Sequence, residues 1–401
     1  MDSGSISKLR LMIAQVVIMI MLLCSRELLA EVIHLTPDDD WFAILSGERL
    51  KPGDEVVLRA GKYSSPRRLA IRSSGTTEKP IVIRADEGAR VVFERPDARQ
   101  NTFNLEGTQY LELRGFEITG GAAGIRIGPL GDRQSSDVKL TDLHIHHIGG
   151  VAVTCNQDGA HYERMVFRGN HIHHTAGHGE AFYLGGNDAS AIFSDSIIDG
   201  NYIHHLNGPD VSQGDGIEIK QGSYGNRVTN NVIHDTKYPG ITVYGTGGRA
   251  RNVIFNNMIW NTGDHGIQVA ADAVVLSNVV FKTGGCGIYS REHQGAIPGH
   301  LLIEQNDIRD ANSAALRIIR PGNGYSGQIE LQHNQLFARP GQPAMRVGPD
   351  ALVHISGNRG RGGLEALPTT TDGWQELTTE VKPKAFVLPK HHPANLIGSR
   401  D

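Results

Sequence analysis

Residues 214–222 read GDGIEIKQG. Asp215, Glu218 and Lys220 place two carboxylates and an amine inside six consecutive positions. Such a set can hold a hard cation, move a proton between an acid and a base, or form a plain surface ion pair. The stretches GITVYG from Gly240 and GIQVAA from Gly266 keep the glycine and the alternating apolar residues but carry no charge. The charges are a local addition to a repeating unit. With Ile217 and Ile219 turned inward, Glu218 and Lys220 project outward on one face, roughly 7 Å apart.

That unit runs through most of the chain. The phrase Asn-x-(Ile/Val/Leu)-x recurs from Asn170, Asn201, Asn231, Asn257, Asn278, Asn306 and Asn334, at spacings of 21 to 31 residues. DLHIHHIGG from Asp142 reads as the same phrase with Asp in the Asn place. A period in this range signals a solenoid. Each phrase is followed by a Gly-containing turn and a short alternating run, among them Val151-Ala152-Val153, Ile241-Thr242-Val243 and Ile267-Gln268-Val269. Alternation at period two gives strands with one buried face. Short strands, many turns and no helical period predict an all-β, right-handed parallel β-helix of about ten coils. The recurring Asn predicts an amide ladder, each side chain bonding its equivalent in the next coil. An open end coil is an unpaired edge, and TPDDDWFAILSGERLKPGD (36–54) predicts a short amphipathic cap helix over the N-terminal end. The β-helix domain spans 31–362, and the Pro- and Thr-rich stretch 363–401 reads as a partly ordered tail.

Composition fits that architecture. The 401 residues include 49 glycines, roughly 12% against a usual value of about 7%, and 39% hydrophobic residues, enough for a real core. A net charge of −4 leaves no cationic surplus for phosphates and excludes a general nucleic-acid binder. Residues 1–30 read as an export signal: Lys8 and Arg10, the apolar run Leu11–Cys24, and a cleavage site after Leu28-Leu29-Ala30. An uncleaved anchor is the alternative, and lipid attachment at Cys24 is disfavoured by the bulky Leu23 before it. Beyond this segment nothing calls for a membrane. The expectation is a periplasmic or secreted monomer. Export permits disulfides, but Cys155 and Cys286 fall about five coils apart, on the order of 24 Å at ~4.8 Å per coil, beyond the ~7 Å reach of a bridge. Two free thiols are expected.

The stretches LKPGDEVVLRAGKYSS (50–65), SGTTEKPIVIRADEGARVVF (74–93) and YLELRGFEITGG (110–121) resemble the opening of polysaccharide lyase family six, the chondroitinase B and alginate lyase type. The later coils resemble the wider β-helix repeat superfamily. The resemblance implies an enzyme of acidic polysaccharides on a β-helix fold. Lyases of that family pair a lysine with an arginine in an Arg-His-Gly setting on the next coil. Here the matching region reads Val243-Tyr244-Gly245. Either Tyr244 takes that part or the reaction differs.

Stacked coils turn sequence columns into neighbours. Aligned by their alternating runs, they give an outward column of Tyr183, Glu218, Thr242, Gln268, Tyr289 and Arg317, a second of Gly185, Lys220, Tyr244, Ala270, Arg291 and Ile319, and a turn column of Glu180, Asp215, Pro239, His265 and Cys286. The long coils from Asn170 and Asn201 supply groove walls. Such a surface suits β-elimination of a uronate polymer: the substrate carboxylate is neutralised, a base removes the neighbouring C–H proton, and an acid protonates the departing oxygen. Glu180, Asp215 and Glu218 are the candidates to hold Ca2+ for the first task. Lys220 is the candidate base, Tyr244 the candidate acid or alternative base, His265 a second option, and Arg291 a neighbouring charge that favours a neutral lysine. Tyr183, Gln268, Tyr289 and Arg317 are the candidate substrate-binding residues.

Other readings stand beside this one. A C5-epimerase shares the proton-abstraction step, a glycoside hydrolase would use Asp215 and Glu218 as its carboxylate pair, and a carbohydrate-binding protein would use no catalysis at all. Glu218 and Lys220 could be an exposed ion pair of little worth, and Asp215 a turn residue. His146, His173, His204 and His234 fall in one column continued by Trp260 and Phe281. Stacked rings are expected there in preference to a metal site.

Overall fold

Ile217, Ile241, Ile267 and Ile288 lie in register on successive coils, all fully buried. β-branched side chains fit a pleated, closely packed surface, and this column shows how each coil buries its inward residues on the next. The computed structural model describes residues 30–319, 328–348, 353–365, 373–379 and 381–395. Among these, the strands form three sheets of 15, 12 and 13 strands, and all the strand pairs along the stack are parallel. We call them the first, second and third sheet. Each coil visits the first, then the third, then the second, so one core runs the length of the molecule.

The chain makes about twelve coils, as its 12-stranded sheet indicates, where the Asn repeat indicates about ten. The difference lies at the N-terminal end, where coils such as those through Glu55–Leu58 and Ile81–Ala85 carry no Asn phrase. The cap is also smaller than expected. Only Trp41–Leu45 of the stretch 36–54 is helical. The Asp40 side chain accepts from the Ala43 N–H at its start, and Trp41 packs edge-on against Tyr63 and Phe93 to close the core.

The amide ladder runs from Asn170 through Asn201, Asn231, Asn257, Asn278, Asn306 and Asn334 to Asn358. Each of these side chains also donates to a backbone carbonyl of an earlier coil, as Asn231 Nδ2 does to Ile198 at 3.0 Å. The ladder's N-terminal end differs from the sequence expectation. Strand register pairs His144 with His171, which puts Leu143, not Asp142, opposite Asn170. The Asn170 carboxamide ends the ladder by accepting from the Leu143 N–H at 3.0 Å.

The stacked rings are present on the third sheet. His146, His173, His204, His234, Trp260 and Phe281 follow one another with centroids 4.2 to 5.6 Å apart and planes within 17° of parallel. Cys155 and Cys286 are free and buried. The C-terminal segment adds Trp374–Glu376 to the third sheet and then runs back along the solenoid, the Lys384 N–H donating to Asp307. Among the described residues no helix is long and apolar enough to cross a membrane. The export-signal segment, Cys24 included, lies outside the described residues apart from Ala30.

Candidate active site

The second sheet carries the charged strand Ile217–Ile219 between Phe182–Leu184 and Ile241–Val243. Register places Tyr183, Glu218, Thr242, Gln268, Tyr289 and Arg317 in one column. The side chains do point away from the coil core, but they are not exposed as expected. Glu180 is 0%, Asp215 and Glu218 are 3%, and Lys220 and Tyr244 are 4% exposed. Two segments cover them. Residues 291–299 fold back over the sheet, where His293 meets Tyr244 and Ala296 lies against Gly245. Residues 185–191 close from the other side, with Gly185 against Lys220 and Ser223. Gln294 donates to Asn187 at 3.1 Å and ties the two segments together. A solvated surface ion pair is therefore excluded for Glu218 and Lys220.

Beneath this cover the groups form one hydrogen-bonded set. Lys220 Nζ lies 2.5 Å from Glu218 Oε1. The Tyr244 hydroxyl donates to the same oxygen at 2.9 Å and lies 3.4 Å from Lys220 Nζ. The ammonium also sits 4.5 Å from the centre of the Tyr183 ring. Asp215 accepts from Thr242 at 2.7 Å. His293, which the sequence reading missed, stacks on Tyr244 with centroids 4.7 Å apart and brings Nε2 to 3.1 Å from the hydroxyl. Its segment has no repeat phrase, so no column could have aligned it.

The second set of candidates sits further along the sheet. His265 accepts from the Cys286 N–H at 2.9 Å, approaches Asp264 at 3.4 Å, and packs its ring on Tyr289. Arg291 and Arg317 lie 6.0 and 5.7 Å from the Tyr289 ring centre. The structure thus brings Lys220, Tyr244, Glu218, Asp215 and Tyr183 together, and gathers His265, Tyr289, Arg291 and Arg317 separately, with Gln268 in the column between.

Burial and charge fix the resting protonation. Burial opposes the charge on Lys220, but the Glu218 carboxylate and the Tyr183 side chain outweigh it and hold the amine above its ordinary value. Burial, then Glu218, pushes the Tyr244 phenol far up. Burial, then Glu218, also holds Asp215 well above the carboxylate range. His293 is pushed down by burial, then by Arg291 and Lys220. The resting site therefore combines an ammonium, a neutral phenol and a neutral imidazole. Glu180, Asp215 and Glu218 supply the oxygen donors that a hard cation prefers, but among the described residues they are not one of the sets whose ligand atoms converge within 4.8 Å, and burial holds Glu180, like Asp215, above its ordinary value. Among the described residues, both oxygens of Glu180 and Oε2 of Glu218 are buried without a hydrogen-bond partner, and His178 Nδ1 lies 3.8 Å from Glu180 Oε1.

Residues 166–336 match the family described as Right handed beta helix region, and residues 46–127 match Chondroitinase B. The chain is a right-handed parallel β-helix. All the candidate residues of this β-helix protein, Glu180 to Arg317, fall in the first match and beyond the second. No curated protein matches the sequence. Among solved structures, the β-helix protein is similar to an alginate lyase from Paenibacillus sp. str. FPU-7, with 22% identity over 83% of this chain and 97% of that one and a TM-score of 0.50. It is also similar to the mannuronan C-5 epimerase AlgE6 A-module of Azotobacter vinelandii, with 15% identity, 82% and 92% coverage and a TM-score of 0.52. XylC in complex with xylose aligns at 11% identity, 87% and 86% coverage and a TM-score of 0.60. At these identities the likeness establishes the fold.

Proposed function

We propose that the β-helix protein is a polysaccharide lyase that cuts an acidic, uronate-containing polymer by β-elimination. The observation that carries this reading is the buried set of Glu218, Lys220, Tyr244 and His293, which joins proton donors to a proton acceptor on one face of the solenoid. The Chondroitinase B match and the lyase and epimerase neighbours agree with it.

In this mechanism Tyr244 removes the proton beside the substrate carboxylate while its own proton passes to His293 Nε2. The electron pair of that C–H bond forms the new carbon–carbon double bond, and the glycosidic C–O bond breaks. Lys220 gives its proton to the departing oxygen. The proton on His293 then returns to Lys220 through the Tyr244 hydroxyl, along contacts of 3.1 and 3.4 Å. This assigns Lys220 the acid role, because Glu218 holds it as an ammonium. Tyr183, Gln268, Tyr289 and Arg317 line the remaining face for the polymer, and Arg291 stands beside them. Calcium at Glu180, Asp215 and Glu218 would require these carboxylates to deprotonate and draw together, and would then supply neutralisation of the substrate carboxylate. Substrate entry requires the 291–299 segment to move aside. The reading places a monomer outside the cytoplasm, released by its N-terminal leader, which fractionation of expressing cells tests.

Incubation with alginate, pectate and glycosaminoglycans in the presence of calcium should generate ultraviolet-absorbing unsaturated ends, lost in Lys220→Ala and Tyr244→Phe. A second reading is a C5-epimerase. It is favoured by Val243-Tyr244-Gly245, which carries no arginine at that place, and by the Tyr244–His293 pair, which can hold and pass a proton at the base. It predicts changed residue stereochemistry by NMR with no cleavage. Neither product across the panel would leave a carbohydrate-binding scaffold.

A further inference from the structure

The third sheet carries a second concentration of chemistry, on a different sheet from the candidate active site. His144, His171 and Tyr202 form one column, and His146, His173 and His204 form another beside it. Positions two residues apart on a strand, on coils one step apart in space, bring their imidazole edges together. His144 Nε2 lies 2.8 Å from His173 Nε2, and His171 Nε2 lies 2.7 Å from His204 Nε2. Ring stacking alone requires parallel planes at van der Waals distance and places no demand on which nitrogens meet. Here the nitrogens of two columns converge between coils. His144, His171 and His173 each offer a ligand atom within 4.8 Å of the other two. Glu117, His144 and His146 meet the same condition, with His144 shared.

We infer that His144, His171 and His173 form a binding site for a borderline divalent transition cation such as Zn2+ or Cu2+. Three imidazoles are a donor set these ions favour over calcium or magnesium, whose preference is for oxygen. Small rotations of the rings bring the three nitrogens to the ~2.0–2.1 Å ligand distance of such an ion. The outer contacts suit the role. His173 Nδ1 lies 2.6 Å from His174 Nδ1, a partner that can accept the Nδ1 proton and leave Nε2 free for the metal. All three rings are half-buried, so a fourth position on the ion stays open to solvent or an added ligand. His204 adds a fourth imidazole one coil further on, at its contact with His171.

The test uses the full chain without a polyhistidine tag, titrated with Zn2+ and separately with Cu2+ by calorimetry, with Cu2+ binding also followed by electron paramagnetic resonance. One high-affinity equivalent is expected, with nitrogen hyperfine structure in the Cu2+ spectrum. His144→Gln combined with His173→Gln should weaken binding at least tenfold while circular dichroism retains the β-sheet spectrum. His178→Gln, at an exposed histidine outside the set, should leave binding unchanged. If the double variant fails to fold, His171→Gln alone provides the same reading. Absence of stoichiometric binding, or binding that survives these changes, overturns the site. Neither result depends on polysaccharide turnover, because the readout is the metal itself.

Discussion

The Tyr244 hydroxyl meets His293 Nε2 at 3.1 Å although 49 residues separate them in the chain. Tyr244 belongs to the regular stack, whereas His293 belongs to the segment that folds back over it. Their contact couples the end of the Ile241–Val243 strand to a loop that leaves the solenoid two coils later. The pair, with Glu218 and Lys220 below it, concentrates the proton-transfer capacity of the second sheet at one point.

Removal of the Tyr244 hydroxyl should therefore cost turnover and little else. Tyr244→Phe keeps the ring stacked on His293 and leaves Lys220 paired with Glu218. Activity on the responsive polymer is expected to fall by about 10²- to 10⁴-fold, the usual worth of a positioned acid or base. His293→Ala should lower it in the same direction. Steady-state rates beside circular dichroism check both, and full activity in Tyr244→Phe would remove the phenol from the mechanism.

The buried ion pair makes a separate prediction about stability. Glu218→Gln leaves the Lys220 ammonium under cover without its carboxylate, and breaking a buried pair costs about 3–5 kcal/mol. Glu218→Gln combined with Lys220→Met removes both charges and should recover most of that loss. Urea unfolding midpoints for the two single variants and the double variant measure the coupling. Equal stability of Glu218→Gln and the parent would contradict the buried geometry.

Stability should also fall on mild acidification. Burial pushes His171 down to about 3 and His204 down to about 2, against about 6.5 in an unfolded chain. A depressed folded value means the unfolded chain binds the proton first, so the contribution is complete above about pH 6.5 and is lost as pH falls from there toward the folded values. Thermal midpoints measured with a chelator present should drop between pH 6.5 and 4, and drop less in His204→Gln. A flat profile across that window would mean the rings are not buried together.

The arginines near Tyr289 should act on binding more than on chemistry. Arg317→Ala is expected to raise KM for an acidic polymer severalfold with kcat nearly kept, and added salt should narrow the difference. An equal loss in kcat would place Arg317 at the reacting bond instead.

The amide ladder is expected to be unforgiving. Asn231 accepts from the Asn201 N–H and side chain and donates to Ile198 and Asn257. Asn231→Leu strands several buried polar groups, each costing about 1–3 kcal/mol. Unfolding curves should show the loss.

The sequence by itself determined the coil. Alternation at period two set which residues enter the core, and the spacing of Asn170 through Asn334 set the stacking, because both are local patterns that repeat in register. Those patterns also placed Glu218 opposite Tyr183 and Thr242, as the strand pairing has it. They misplaced the start of the ladder by one residue at Asp142, where Leu143 takes the position, since Asp142 matches Asn only in its polar side chain, whereas the apolar alternation, which a one-residue shift would turn inside out, aligns Ile145 with Ile172. Only the tertiary structure decided that Glu218, Lys220 and Tyr244 are covered, that His293 joins them, and that imidazole nitrogens of neighbouring columns converge on the third sheet. Those facts depend on how far a non-repeating loop reaches and how side chains rotate, and neither distance is encoded in a period.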